Sequence, residues 1–118
     1  MSGGNSAQMS GGDSAKMSGG DFAKMSGGDF AKMSGGDSAQ MVAGYESSLN
    51  SGKHSVVVGD NGSKAKAELG TILVLVNREY KNNDLIIVDY KAGLVDGKKI
   101  KADTWYKLKN GKFIEVTI

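Results

Sequence analysis

Apolar positions recur every eight residues through the first half of the chain. Met1, Met9, Met17, Met25, Met33 and Met41 open successive octads, which accounts for all six methionines. The first five octads are nearly identical and read Met-Ser-Gly-Gly-Asp-Ser/Phe-Ala-Lys/Gln, as recent tandem duplication would leave them. Where identity fades, the register persists. Leu49 and Val57 continue the Met column, Gly44 and Gly52 the second-glycine column, and Ser47, Ser55 and Ser63 the Ala column. Eight octads therefore run to about Lys64.

A helix cannot hold this pattern. Two glycines per octad would each cost about 1 kcal/mol relative to Ala, and eight residues match the 3.6-residue turn poorly. A strand followed by a corner fits. In Phe22-Ala23-Lys24-Met25-Ser26, strand alternation sends Ala23 and Met25 one way and Phe22, Lys24 and Ser26 the other. The charged residue marks the wet side, so Ala and Met point inward. Gly-Gly-Asp is then expected to make the corner, with positive φ at Gly or Asp. One octad cannot bury its own apolar side, but stacked octads can. Two octads per coil give a thin β-solenoid of about four coils, ~20 Å long at ~4.8 Å per coil. Its inward column is Met9, Met17, Met25, Met33, Met41, Leu49 and Val57. The competing reading is a flexible Gly/Ser linker. The periodic Met column and the absence of Pro count against it.

From Ala65 ordinary strand signals take over. Residues 71–78 and 85–90 read as strands around the polar turn Lys81-Asn82-Asn83-Asp84. Leu94-Val95 and residues 98–100 flank Asp96-Gly97, a two-residue hairpin signal. Residues 104–108 and 113–118 flank Lys109-Asn110-Gly111-Lys112. Tyr106, Leu108, Ile114, Val116 and Ile118 are the expected inward set, with Trp105 on the opposite phase. The prediction is all-β: an octapeptide-repeat solenoid over residues 1–64, then an antiparallel meander of about five strands over 65–118. So small a sheet needs support, and the open solenoid end supplies it; the meander is expected to cap that end. The first octad is as regular as the rest, so the N-terminal end is expected to be uncapped.

Composition removes chemistry rather than adding it. With no Cys, thiol nucleophiles, disulfides and thiolate metal sites are excluded. The one His, His54, beside Lys53, reads as a solvated residue. Residues 1–64 carry 5 basic and 6 acidic side chains and residues 65–118 carry 10 and 7, too mixed to argue for nucleic acid. The longest apolar run, Ile72 to Val76, is far short of the ~20 residues of a membrane helix. The N-terminus has no basic and apolar signal pattern, so no secretory signal is expected. The recurrent Asp13, Asp21, Asp29 and Asp37, with Asn5, could bind calcium as a carboxylate stack, but they lack the nonapeptide spacing of calcium-binding rolls and read better as corner residues. No phosphate loop or acid/base carboxylate pair stands out, so no enzyme and no cofactor are expected.

Three resemblances follow from these residues. The two-octad coil resembles the octapeptide solenoids of bacterial ice-nucleation proteins, which read Ala-Gly-Tyr-Gly-Ser-Thr-x-Thr. The outward Thr-x-Thr of that family is Ala-Lys/Gln-Met here, which argues against ice binding. The segment from Val95 through Asp96-Gly97-Lys98-Lys99-Ile100 and Trp105-Tyr106-Lys107-Leu108 to Phe113 resembles uncharacterised phage and gut-bacterial proteins. Those join a Ser/Gly/Ala-rich short repeat to such a meander, which implies a phage or mobile-element setting and carries over no activity. Ser55-Val56-Val57-Val58-Gly59 is also similar to head repeats of trimeric adhesins, which run at a longer period.

The functional expectation is a structural protein that associates with itself into an oligomer or filament. Exposed Phe22 and Phe30, together with Trp105 and Tyr106, are the candidate chain–chain contacts. The alternative is an adhesin-like module, in which Asp103, Trp105 and Tyr106 would face carbohydrate or a host surface.

Overall fold

The computed structural model describes residues 2–116, among which it contains twelve strands and no helix. Met1 and Ile118, read above as part of the Met column and of the inward set, lie outside the described residues. Eight short strands come first: β1 (Gln8–Ser10), β2 (Lys16–Ser18), β3 (Lys24–Ser26), β4 (Lys32–Ser34), β5 (Gln40–Ala43), β6 (Ser48–Asn50), β7 (Val56–Gly59) and β8 (Lys64–Lys66). Four more follow: β9 (Ile72–Lys81), β10 (Asp84–Leu94), β11 (Tyr106–Lys109) and β12 (Lys112–Glu115).

These strands form two sheets, with the core between them. The first sheet runs β1-β3-β5-β7-β9-β10 and the second β2-β4-β6-β8-β11-β12. The short strands pair in parallel at an offset of two octads: Met9 with Met25, Met25 with Met41, Met41 with Val57, and Val57 with Leu73. Met17, Met33, Leu49 and Ala65 form the matching column of the second sheet. The chain is thus a β-solenoid with two octads per coil. Met17, Met25, Met33, Met41, Leu49 and Val57 are buried, whereas Met9, in the first coil, is only half-buried. Removing such side chains from water is worth about 1.5–3 kcal/mol each.

The octad register does not stop at Lys64. Ala65 and Leu73 extend the Met column, and Thr71 extends the Ala/Ser column. The junction of residues 64 and 65 falls inside β8, and the parallel ladder continues to Gly59 opposite Leu75.

The corners differ from the expectation that Gly or Asp takes positive φ. The left-handed residue is the one after the Asp column, which Asn5, Tyr45 and Lys53 also occupy: Ser6, Ser14, Phe22, Phe30, Ser38, Glu46 and His54, at φ 49–61°. Gly62 and Gly70, at 78° and 86°, occupy the same column in the last two corners. The preceding glycines serve a steric need instead. A Cβ on Gly28 would strike Asp13 Oδ1 and come within 2.9 Å of the Asp13 backbone nitrogen, one coil below.

Two hydrogen-bond ladders tie the coils together. In the outer one, Asp13 Oδ1 accepts the Asp29 N–H at 2.9 Å, and Asp29 Oδ1 accepts the Tyr45 N–H at 2.9 Å. Asn5, Asp21 and Asp37 act likewise. In the inner ladder, Ser47, Ser55, Ser63 and Thr71 accept the N–H of the residue sixteen positions earlier at 3.0–3.2 Å. Their hydroxyls in turn bond to corner carbonyls such as Gly44 and Gly52. Such buried hydroxyls stay compatible with the core because both functions are satisfied.

The C-terminal antiparallel strands split into two hairpins, one added to each sheet. Asn82 and Asn83, both at positive φ, turn β9 into β10, and Asn110-Gly111 turns β11 into β12. Tyr106 pairs with Ala65, which joins the second hairpin to β8. Val95, buried, exchanges backbone hydrogen bonds with Gly70 and Thr71. The C-terminal coil is thereby covered.

Two details depart from expectation. Asp96-Gly97 makes no hairpin. Asp96 Oδ1 instead accepts the N–H groups of Lys98, Lys99 and Ile100, and those amides are taken from any ladder. Four antiparallel strands follow the short rungs, not five. In the last hairpin Leu108 pairs with Phe113 and Lys107 with Ile114. Phe113 therefore shares the inward side with Tyr106 and Leu108, while Ile114 is exposed.

Candidate interaction surfaces

The two ends of the solenoid are unlike. At the C-terminal end, β10 and the β11–β12 hairpin cover the last rungs. At the N-terminal end, β1 is the outermost strand of the first sheet. Lys24 N–H donates to the Ala7 carbonyl at 2.8 Å and Gly11 N–H to the Ser26 carbonyl at 2.9 Å. In a parallel ladder the bonded residues alternate, so residues 7, 9 and 11 face β3. The N–H and C=O of Gln8 and Ser10 then point away from it, where the described residues supply no strand. On the second sheet, Ser2 bridges Ser18 and the Gly3 N–H donates to the Ser18 carbonyl at 2.7 Å, one full coil before β2.

The candidate contact residues are scattered rather than brought together. Phe22 and Phe30 are 63% and 54% exposed and sit on successive corners, at opposite edges of the coil. Tyr106 is 3% exposed; its ring packs 6.3 Å from Phe113, and its hydroxyl accepts the Lys101 N–H at 2.8 Å. Burial takes Tyr106 out of any surface contact. Trp105 is half-buried, with Lys66 Nζ 5.4 Å from its ring centre. Lys66 also pairs with Asp103 at 3.2 Å, so one ammonium engages both residues, while the Asp103 side chain stays 71% exposed. The Asp column spends its Oδ1 atoms on backbone amides, and no group of three or more metal-ligating side chains occurs among the described residues.

Residues of both hairpins, Asn77, Asp89, Lys107 and Ile114 among them, line a cleft of about 880 Å³ together with Asn61. Its polar groups already hold the fold. Asn77 donates to the Leu108 carbonyl, and Asp89 accepts the Gly111 N–H at 2.7 Å. Beside it, Arg78 Nε reaches Asp60 at 2.9 and 3.2 Å. That hydrogen bond, with the carboxylate charge behind it, raises the guanidinium pKa above its ordinary value.

No family model, no curated protein and no solved structure matches this chain. The surfaces themselves must carry the functional reading.

One surface escaped the sequence reading. On the outer side of the first sheet, the column Gln8, Lys24, Gln40 becomes Val56 and Ile72. The neighbouring column, Ser10 and Ser26, becomes Val42, Val58 and Val74. Leu94 and Tyr90 of β10 pair with Ile72 and Val76 and extend the same side. Val42, Val56, Ile72, Tyr90 and Leu94 are all exposed. The second sheet stays polar in the equivalent columns, with Lys16, Lys32, Ser48, Lys64 and Ser18, Ser34, Asn50, Lys66. The signal was present in the octads. It appears only when every second octad is aligned, because pooling all of them mixes the two sheets.

Proposed function

We propose that the chain is a structural protein that associates with itself, copies joining at the N-terminal coil, where the described residues leave the β1 edge unpaired. The inequality of the two ends supports this reading: one is covered by antiparallel hairpins, and the other offers β1 with the outward amides of Gln8 and Ser10. An exposed strand edge is a template for another strand. Two N-terminal coils related by a twofold axis across the solenoid would pair antiparallel, edge to edge.

The test is mass measurement by light scattering over a concentration series, with electron microscopy of the purified chain. Ser10→Pro removes one outward N–H and places a ring on the edge without touching the ladder to β3. The wild-type chain is expected to be oligomeric, and Ser10→Pro to lower its mass while leaving its β-sheet circular dichroism intact. A monodisperse wild-type monomer at every concentration overturns the proposal.

A further inference from the structure

We propose that the outer side of the first sheet, over its C-terminal half, is the packing surface for the same surface of a second copy. This rests on the self-association reading above and adds a second, distinct contact to it. The coil does not need apolar residues there. Gln40 and Lys24 fill the same column one and two coils before Val56, and Ser48 and Lys64 fill the equivalent column of the second sheet. Val56 and Ile72 are nonetheless 43% and 42% exposed, and Val42 is 52% exposed.

The occupant follows from the patch's chemistry. It is a pleated, β-branched surface carried by consecutive strands β5, β7, β9 and β10. Apart from the Tyr90 hydroxyl, its side chains offer no hydrogen-bonding group, so a sugar or a nucleic acid would lose its water without replacement. Apolar sheet surfaces satisfy one another by packing ~10 Å apart with interdigitated side chains. A twofold axis makes one such surface complementary to itself. The exposed apolar area is on the order of 500 Å² per copy, near the top of the roughly 300–600 Å² that monomers leave open and approaching the ~800 Å² one partner gives a standard interface. The Asp60–Arg78 pair supplies a polar border beside it.

The experiment compares masses of the wild-type chain and of Val56→Lys/Ile72→Lys by light scattering, with Ser48→Lys on the second sheet as control. Lysine already occupies the equivalent positions 16, 24, 32 and 64, so the coil accommodates it. Should the double lysine variant fail to fold, Val42→Ser/Val56→Ser, which restores residue types used in this column family, replaces it. The expected result is a mass lowered at least twofold at micromolar concentration in the apolar-surface variants and unchanged in Ser48→Lys. An oligomer whose mass ignores both apolar-surface variants overturns this proposal and leaves end association standing. A wild-type monomer overturns both, and one that cosediments with neutral phosphatidylcholine vesicles reassigns the surface to lipid.

Discussion

Beneath most glycines of the second column lies an Asp or Asn of the preceding coil, and the two disappear together. Gly20, Gly28, Gly36, Gly44 and Gly52 each lie against Asn5, Asp13, Asp21, Asp29 and Asp37 in turn. Where that outer ladder gives way to Tyr45 and Lys53, the glycine positions become Asp60 and Glu68. The excess of glycine in residues 1–64, 14 of the 18, is therefore a packing demand of the Asp ladder as much as a corner demand. Gly12, in the first coil, has nothing within 4 Å of its would-be Cβ among the described residues. Gly12→Ala is expected to change stability by less than about 0.5 kcal/mol, and Gly28→Ala to lose more than about 2 kcal/mol, read from urea midpoints. The ladder needs the oxygen and not the charge, since Asn5 does the same work. Asp29→Ala should cost about 1 kcal/mol and Asp29→Asn little. At the corner itself, Ser38 holds φ 56°. Ser38→Gly should stabilise and Ser38→Val destabilise, each by about 1 kcal/mol.

At the scale of the elements, the inner hydroxyl ladder shows what holds the rungs once Ala gives way to Ser. Thr71 is fully buried, accepts the Ser55 N–H at 3.1 Å and donates to the Gly52 carbonyl at 2.8 Å. Thr71→Val keeps the shape and orphans both partners, which should cost about 1–3 kcal/mol in a denaturant titration. The 95–105 loop has its own acid sensitivity. The Asp96 carboxylate is held below its usual range by the backbone amides of Lys98, Ile100 and Lys99, against a smaller opposing effect of desolvation. Its contribution is present above the ordinary carboxylate pKa and is lost as pH falls through the lower folded value. Melting of the wild-type chain between pH 5 and pH 2 should accordingly fall more steeply than that of Asp96→Ala. Asp96 also shows why a sequence-level hairpin failed: its side chain captured the amides a strand would have used. In the octads the inward and outward columns were legible because alternation and charge agreed at every rung. In the last hairpin Phe113 and Ile114 are both apolar, so alternation could be read in either phase; it was read with Ile114 inward, and pairing of Leu108 with Phe113 reverses that. The left-handed corner residue was hidden by Ser and Phe, although Gly62 and Gly70 stand in that column.

Across the whole molecule, the two ends and the two outer surfaces are all different, and assembly should reflect that. The second sheet is closed by Tyr106 against Ala65, where a small rung residue leaves room for a ring. Tyr106→Ala removes that ring and the acceptor of the Lys101 N–H, and should lose about 3–5 kcal/mol with aggregation on heating. If copies meet both at the N-terminal coil and across the apolar surface, each contact is twofold, and two such axes that do not meet propagate an open chain. The near-identity of the first octads bears on length. Because the left and right halves of a coil are built from the same eight residues, gaining or losing one octad in that region leaves every remaining rung in a familiar environment. What changes is parity: the outermost strand passes from one sheet to the other, and Phe22 and Phe30 exchange sides where the change falls between them and the later coils. The arm behaves as a ruler graduated in half-turns of ~2.4 Å, and an odd graduation changes which sheet meets a neighbour.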